Sequence, residues 1–183
     1  WWFFGPVMLV AALPFTPYLL LGLARVPRAR IAPEHSLPQF AACWLVAVLL
    51  LFTTAATKLP SYWLPATPAA ALLMAQATVG SSRWQRLAWG ACLILITVLA
   101  AGFWLGPLWV PLIDDPEMPT LSVDLLASGL LGLAAVWFSA AAALGALLLL
   151  QRRAAAQALL AMQACLLGFH LTALVPIAEL ADR

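Results

Sequence analysis

The stretch Thr57-Lys58-Leu59-Pro60-Ser61-Tyr62 interrupts a chain that is otherwise dominated by long apolar runs. It separates the run Phe40–Ala56 from the run Trp63–Thr78, and it carries the only lysine of the 183 residues. Cationic and aromatic side chains gather where a membrane meets water, and proline ends or kinks a helix because it has no backbone donor. The stretch is therefore predicted to form a turn at a membrane surface.

The composition indicates that most of the protein surface faces lipid and not water. Hydrophobic residues make up 65% of the chain and charged residues only 9%, and the mean hydropathy is +1.01. Soluble domains carry about 25% charged residues, so this chain has too little polar surface to face water on all sides. The net charge of +2 is small and the basic residues form no patch, which excludes a nucleic-acid partner on charge grounds.

Six apolar runs meet or approach the length of a membrane helix, which is about 20 residues for about 30 Å of hydrocarbon. Backbone groups find no water in lipid, so each run is expected to be helical. We predict an all-α integral membrane protein with about six transmembrane helices and a kink or break in the first run near Leu13–Pro17. The runs are Trp1–Leu23, Phe40–Ala56, Trp63–Thr78, Leu87–Ile113, Leu121–Leu150 and Ala154–Pro176.

The charges between these runs alternate, which predicts the orientation. The second loop carries Lys58 and the fourth an acidic cluster within Asp114–Asp124, whereas the first, third and fifth loops carry arginines. Arginine-rich loops stay in the cytoplasm. Both termini, the Lys58 turn and the acidic loop are therefore predicted to face outward, toward the periplasm or a lumen. The arginines of the opposite side are Arg25, Arg28, Arg30, Arg83, Arg86, Arg152 and Arg153.

The run Phe52–Leu73, FTTAATKLPSYWLPATPAAALL in one-letter code, resembles the signature F-x-x-x-x-S-K-L-P-x-Y-x-L-P-x-x-P-x-x-A-L-L of bacterial aminoarabinose-transferase-like enzymes. These are multi-spanning glycosyltransferases of the C type, related to protein O-mannosyltransferases. The opening Trp1–Tyr18 is similar to the aromatic helix with a P-W-S/T-P break that precedes this signature. Here Phe15 stands for the usual tryptophan and Thr57 for the usual serine, and the resemblance is sharp over residues 1–75.

The resemblance implies a membrane glycosyltransferase that moves a sugar from a polyprenyl-phosphate carrier to a lipid, glycan or protein acceptor on the outer face. It implies that Lys58 meets the carrier phosphate and that Tyr62 lines the same cavity. It also implies a multi-pass protein of the bacterial inner membrane, whose partners are membrane lipid and the polyprenyl-phosphate-linked sugar. The sugar, the acceptor and the oligomeric state are left open.

The chain is expected to be an interior piece of a longer protein, because it opens Trp1-Trp2-Phe3-Phe4 without an initiator methionine. Residues 1–177 are expected to be a partial helical bundle, and residues 178–183 the start of an outward tail or soluble domain. The family's catalytic aspartate lies near the N-terminus of the full protein. No catalytic residue is therefore expected in this piece, which alone is expected to be inactive.

Several other polar residues invite a chemical role but have a simpler interpretation. Neighbouring carboxylates can bind a divalent cation, yet the acidic loop reads equally as a solvated connection, so no metal ligands are assigned and the cofactor is left open. His35 is expected in a solvated loop, and His170, with Gln163 on nearly the same helical face, is expected to bond a neighbouring helix. The acidic loop's carboxylates are Asp114, Asp115, Glu117 and Asp124.

The small residues of the fifth run and the three cysteines are expected to pack inside the bundle. The small residues are Ser128, Gly129, Gly132, Ala134, Ala135, Ser139, Ala140 and Gly145, and the cysteines are Cys43, Cys92 and Cys165.

Two alternatives to a transferase remain at this point. A transporter or lipid flippase would need polar groups at mid-membrane and broken helices in both halves, of which the chain offers only His170, Gln163 and the prolines of the first run. A non-catalytic membrane scaffold would need neither Lys58 nor Tyr62.

Overall fold

A computed structural model describes residues 3–26, 36–54, 59–80, 82–113, 120–151 and 155–174. Within these ranges the regular structure is helical and contains no strand, which confirms the all-α prediction there. Besides the α-helices there are a 3-10 helix, Pro60–Ala66, a 3-10 turn, Val110–Leu112, and a π-helical turn, His170–Leu174. The α-helices are α1 Phe4–Ala11, α2 Thr16–Arg25, α3 Ser36–Thr53, α4 Thr67–Ala77, α5 Arg83–Trp104, α6 Gly106–Trp109, α7 Leu121–Ala127, α8 Leu130–Leu150 and α9 Ala155–Phe169.

Two of the described helices, α5 and α8, are long and apolar enough to cross a membrane. The 22 residues of α5 rise about 33 Å, which matches a hydrocarbon core of about 30 Å. The pair α1 and α2 passes the same criterion together as one bent span. By contrast the 11 residues of α4 rise only about 16 Å. The described helices thus support a membrane protein with two or three spans of sufficient length, and the count of six stays a prediction.

The predicted break in the first run is confirmed. The helix α1 ends at Ala11, α2 starts at Thr16, and the two axes are bent by 115°. Pro17 lies in the first turn of α2, where a missing backbone donor costs nothing. The Thr16 hydroxyl donates to the Leu9 carbonyl oxygen at 2.6 Å and so joins the two helices.

The chain divides into two compact units, Trp1–Cys92 and Leu93–Arg183, with the boundary inside α5. In the first unit α4 packs against α2 and α3. The approach of α2 is close, because a Cβ atom added to Gly22 would collide with the Leu73 carbonyl group. The core of this unit comprises Ala12, Leu19, Ala41, Leu45, Trp63, Ala66, Ala69, Ala70 and Leu73.

In the second unit α8 packs against α9. A Cβ atom added to Gly145 would lie 2.7 Å from a Leu93 methyl group and 2.8 Å from the Met162 sulfur atom, so glycine is what allows this approach. At the far end of the pair the rings of Phe103, Phe138 and Phe169 form a mutual cluster with centroids 5.0–6.0 Å apart.

Two runs of the sequence are more divided than predicted. The run Leu121–Leu150 separates into α7 and α8 at Gly129, whose φ of +70° lies in the left-handed region that glycine adopts without strain. The run Leu87–Ile113 ends its long helix at Trp104, and α6 restarts with Pro107 in its first turn.

The predicted internal packing of small residues is confirmed for Ala134, Ala135 and Gly145, which are buried. It is wrong for Gly132 and Ala140, which are exposed within the described part of the second unit. Among the cysteines Cys92 is buried as predicted and Cys165 is half-buried. The prediction is wrong for Cys43, which is exposed because it is two residues from both Ala41 and Leu45, the buried positions of α3, and so lies on another face of the helix.

Candidate functional site

The signature segment folds as the 3-10 helix Pro60–Ala66, called here the signature helix. Leu59 before it is extended, with φ −103° and ψ 137°, as expected for a residue that precedes proline. Pro65 lies inside the signature helix and Pro68 in the first turn of α4. Because proline cannot donate a backbone hydrogen bond, a regular α-helix cannot run through this segment.

Two apolar side chains attach the signature helix to the first unit. Trp63 is 6% exposed and Ala66 is fully buried, and both belong to the core that α2, α3 and α4 share. Leu64 and Pro65, between them, are exposed. The signature helix is therefore fixed on one side and open on the other.

Tyr62 is held by contacts on both sides of its own residue. Its backbone N–H donates to the Leu59 carbonyl oxygen at 3.1 Å. Its half-buried ring stacks on the ring of Phe52, with centroids 4.8 Å apart and planes at 27°. Phe52 lies in the last turn of α3, so this stack connects the end of α3 to the signature helix.

Lys58, the predicted phosphate contact, lies outside the described residues. The neighbouring described residues are Thr54 at the end of α3 and Leu59 before the signature helix. The structure thus locates Tyr62 and the residues on either side of the undescribed segment that contains Lys58. That Lys58 and Tyr62 bind the carrier phosphate stays a prediction.

A polar network occurs at the opposite end of α4, where the sequence analysis assigned no site. The Arg25 guanidinium donates to the carbonyl oxygens of Ala77 at 2.9 Å and Gln76 at 3.4 Å, in the last turn of α4. The buried Gln85 side chain donates to the carbonyl oxygens of Ala77 at 2.8 Å and Val79 at 3.0 Å. These bonds satisfy helix-terminal carbonyls that lack partners within the helix.

Gln85 also completes a capping box with Ser82 at the start of α5. The Ser82 N–H donates to Gln85 Oε1 at 2.9 Å, and the Gln85 N–H donates to Ser82 Oγ at 3.3 Å. The pattern S-x-x-Q was readable in the sequence as a helix start. Arg25, Ser82 and Gln85 together are called here the α4 cap, and the hydroxyl of Tyr18 extends it by donating to the Gln85 carbonyl oxygen at 3.4 Å.

The other candidate residues are not brought together. Asp124 is exposed on α7, and His35, Asp114, Asp115 and Glu117 lie outside the described residues. Across the part of the chain that the structure describes, no group of three or more His, Cys, Asp or Glu side chains could hold a metal ion.

His170 opens the π-helical turn and is exposed, as is Gln163 on α9. The indole N–H of Trp137 on α8 reaches the same turn, where it donates to Thr172 Oγ1 at 2.8 Å. A hydrogen bond between this turn and α8 is thus accepted by Thr172, and the bond predicted for His170 itself stays a prediction.

The chain is homologous to bacterial enzymes named undecaprenyl phosphate-α-4-amino-4-deoxy-L-arabinose arabinosyl transferase. It is 32% identical to the one of Erwinia tasmaniensis over 156 residues, which cover 80% of this chain and 26% of that relative. It is 37% identical to that of Pseudomonas paraeruginosa and 35% identical to that of Pseudomonas aeruginosa UCBPP-PA14, each over 79 residues, or 43% of this chain and 14% of the relative.

The resemblance drawn from the signature is thereby confirmed, and the chain spans about a quarter of the length of the first of these relatives. No family model and no solved structure matches the chain.

Proposed function

Because the chain is homologous to a segment of bacterial arabinosyl transferases, we propose that it is part of a membrane glycosyltransferase with a lipid-linked sugar donor. The homology carries this proposal, since the named relatives act with undecaprenyl phosphate and an aminoarabinosyl group. The donor is a polyprenyl-phosphate sugar, and the acceptor is a lipid, glycan or protein at the outer face of a bacterial inner membrane.

Lys58 and Tyr62 are proposed to bind the carrier phosphate. An ammonium is a compact charge that binds phosphate well, and its hydrogen bonds to an anion are stronger than those between neutral groups. The signature helix supports this role, because its prolines and its buried Trp63 fix the backbone that follows Lys58 in the sequence.

The proposed chemistry is a displacement at the anomeric carbon of the sugar. An acceptor oxygen forms the new bond, the bond to the carrier phosphate oxygen breaks, and the acceptor proton passes to a base. Negative charge grows on the leaving phosphate, and the Lys58 ammonium stabilises it more strongly in a cavity from which water is excluded.

The proposed topology has six crossings, both termini outward, and the Lys58 turn on the outer side. The geometry of α4 supports it. The signature helix precedes α4, whereas Arg25 binds the last carbonyls of α4 and approaches Ser82 Oγ at 3.4 Å. Arg25 and Ser82 thus lie together at the end of α4 opposite to the signature helix, which supports the proposed alternation of charge.

The test is the binding of a short-chain polyprenyl phosphate to the purified full-length protein. We expect Lys58→Ala to weaken binding at least about tenfold, because a hydrogen bond to a charged group is lost. Arg86→Ala is the matched control, since it removes an exposed cation of the first unit that lies near the opposite end of α4. Equal binding by wild type and Lys58→Ala would make Lys58 an interfacial anchor and refute this site.

Transfer distinguishes the enzyme from the transporter and the scaffold. Wild-type protein is expected to move labelled sugar from a polyprenyl-phosphate donor to a lipid acceptor, and Lys58→Ala is expected to abolish this without reducing expression. Normal turnover by Lys58→Ala would contradict the proposed role of the lysine.

A further inference from the structure

We infer that Phe52 is a positioning residue for the proposed phosphate site, because its ring stacks on Tyr62 and Lys58 lies between these two residues in the sequence. This inference rests on the proposed function and adds to it a residue that does not itself touch the substrate. The contact joins the two described flanks of the turn, the end of α3 and the signature helix.

On the face of α3 that packs against the other helices of the first unit, Phe52 is the last residue. Ala41 and Leu45 on this face are buried in the core, and Val48 and Leu49 pack against that core. Phe52 follows at the next helical repeat, since residues three or four apart share a face. In the same turn Leu50 and Leu51 are 63% and 65% exposed. The stack on Tyr62 is therefore a contact by which this end of α3 meets the signature helix.

The signature helix has its own attachment to the core, which separates the roles of neighbouring residues. Trp63 and Ala66 are buried in a core to which Phe52 does not belong, so they hold the helix backbone. The stack instead restrains the Tyr62 ring and the distance between the two flanks of the turn. A site that binds phosphate through a lysine gains affinity when the flanks of that lysine are restrained before the ligand arrives.

The spacing in the signature is consistent with this role. The phenylalanine and the tyrosine of the pattern lie on opposite sides of the lysine, and in the structure these two rings are the stacked pair. Stacked aromatic pairs contribute more than the area they bury, and their loss corresponds to about a tenfold change in an equilibrium constant.

The experiment measures donor affinity and transfer by the full-length protein with Phe52→Leu, Phe52→Tyr and Phe40→Leu. Phe40 is a matched control because it lies on the same helix and pairs with Trp44 at 5.9 Å, but near the start of α3. We expect Phe52→Leu to weaken polyprenyl-phosphate binding about tenfold, since the stack is lost. We expect Phe40→Leu and Phe52→Tyr to stay within about twofold of wild type, since one lies away from the turn and the other keeps the ring.

Donor affinity per folded protein is the deciding quantity, because a merely structural role would lower the folded fraction and leave affinity unchanged. If Phe52→Leu folds poorly, Phe52→Met replaces it with the same expectation, since it keeps apolar volume and removes the stack. Normal affinity of Phe52→Leu or Phe52→Met, or equal losses in Phe52→Leu and Phe52→Tyr, would refute the inference.

Lys58→Ala in the same assay separates this inference from the proposed function. Loss of binding in Lys58→Ala with normal binding in Phe52→Leu would remove only the positioning role. Normal binding in Lys58→Ala would remove the phosphate site itself.

Discussion

The two ends of α4 are held in different ways. At its start the chain is fixed by prolines and by the buried side chains of Trp63 and Ala66. At its end the chain is fixed by polar side chains, because Arg25 and Gln85 donate to the terminal carbonyls. The difference teaches that polar side chains hold the end of α4, whereas prolines and apolar side chains hold its start, so we expect Lys58 to be available for a ligand.

Substitutions at the two ends should therefore separate stability from function. Changes in the α4 cap are expected to lower the free energy of unfolding. Changes at the Lys58 turn are expected to lower the affinity for the carrier and leave stability nearly intact. Three stability measurements, made by chemical unfolding in detergent, test this difference.

The largest effect is expected for Gln85→Met. The substitution keeps the volume of a side chain that is 4% exposed but removes its bonds to Ala77, Val79 and the Ser82 N–H. Each hydrogen bond contributes about 1 kcal/mol net. Three such bonds are lost, although Arg25 still donates to the carbonyls of Ala77 and Val79, so we expect a loss of about 3 kcal/mol in all. Gln163→Met on α9 is the control, because that glutamine is exposed. Equal stability of the two variants would show that the α4 cap does not hold this end.

A smaller effect is expected for Gly22→Ala, which tests the packing of α2 against the part of α4 that lies between its two ends. The new Cβ atom would meet the Leu73 carbonyl and push α2 from α4, and overpacking of this kind costs about 1–3 kcal/mol. The control is Gly90→Ala in α5, where a Cβ atom has nothing within 4 Å. This control is expected to stabilise the protein by up to about 1 kcal/mol, because alanine favours a helix over glycine. A destabilised control or an unaffected Gly22→Ala would contradict the packing described here.

What the sequence predicted correctly depends on local chemistry. The break at Leu13–Pro17 follows from prolines, which restrict the residues next to them wherever they occur. The capping box of Ser82 and Gln85 is equally local and could have been predicted from S-x-x-Q. The family follows from the signature, because a spaced pattern of specific residues carries more information than composition.

What the sequence could not predict depends on which helices meet. The bonds from Arg25 to α4 join residues more than 50 positions apart, and nothing near Arg25 distinguishes it from the other arginines of its loop. The stack of Phe52 on Tyr62 likewise requires the end of α3 and the signature helix to lie together. Long apolar runs also conceal breaks such as the one at Gly129, because apolarity alone does not show where a helix ends.

The smallest effect on stability is expected for Lys58→Ala, and it decides how the comparison is interpreted. The start of α4 is held by Trp63, Ala66 and the prolines, and an interfacial lysine adds little to such a fold. We expect a change within about 0.5 kcal/mol, as for surface substitutions generally. A loss as large as that of Gln85→Met would mean that the lysine holds the turn itself, and weak carrier binding by Lys58→Ala would then reflect a distorted site. An unchanged stability together with lost carrier binding would assign the lysine to the ligand, because no other property of the variant protein would have changed.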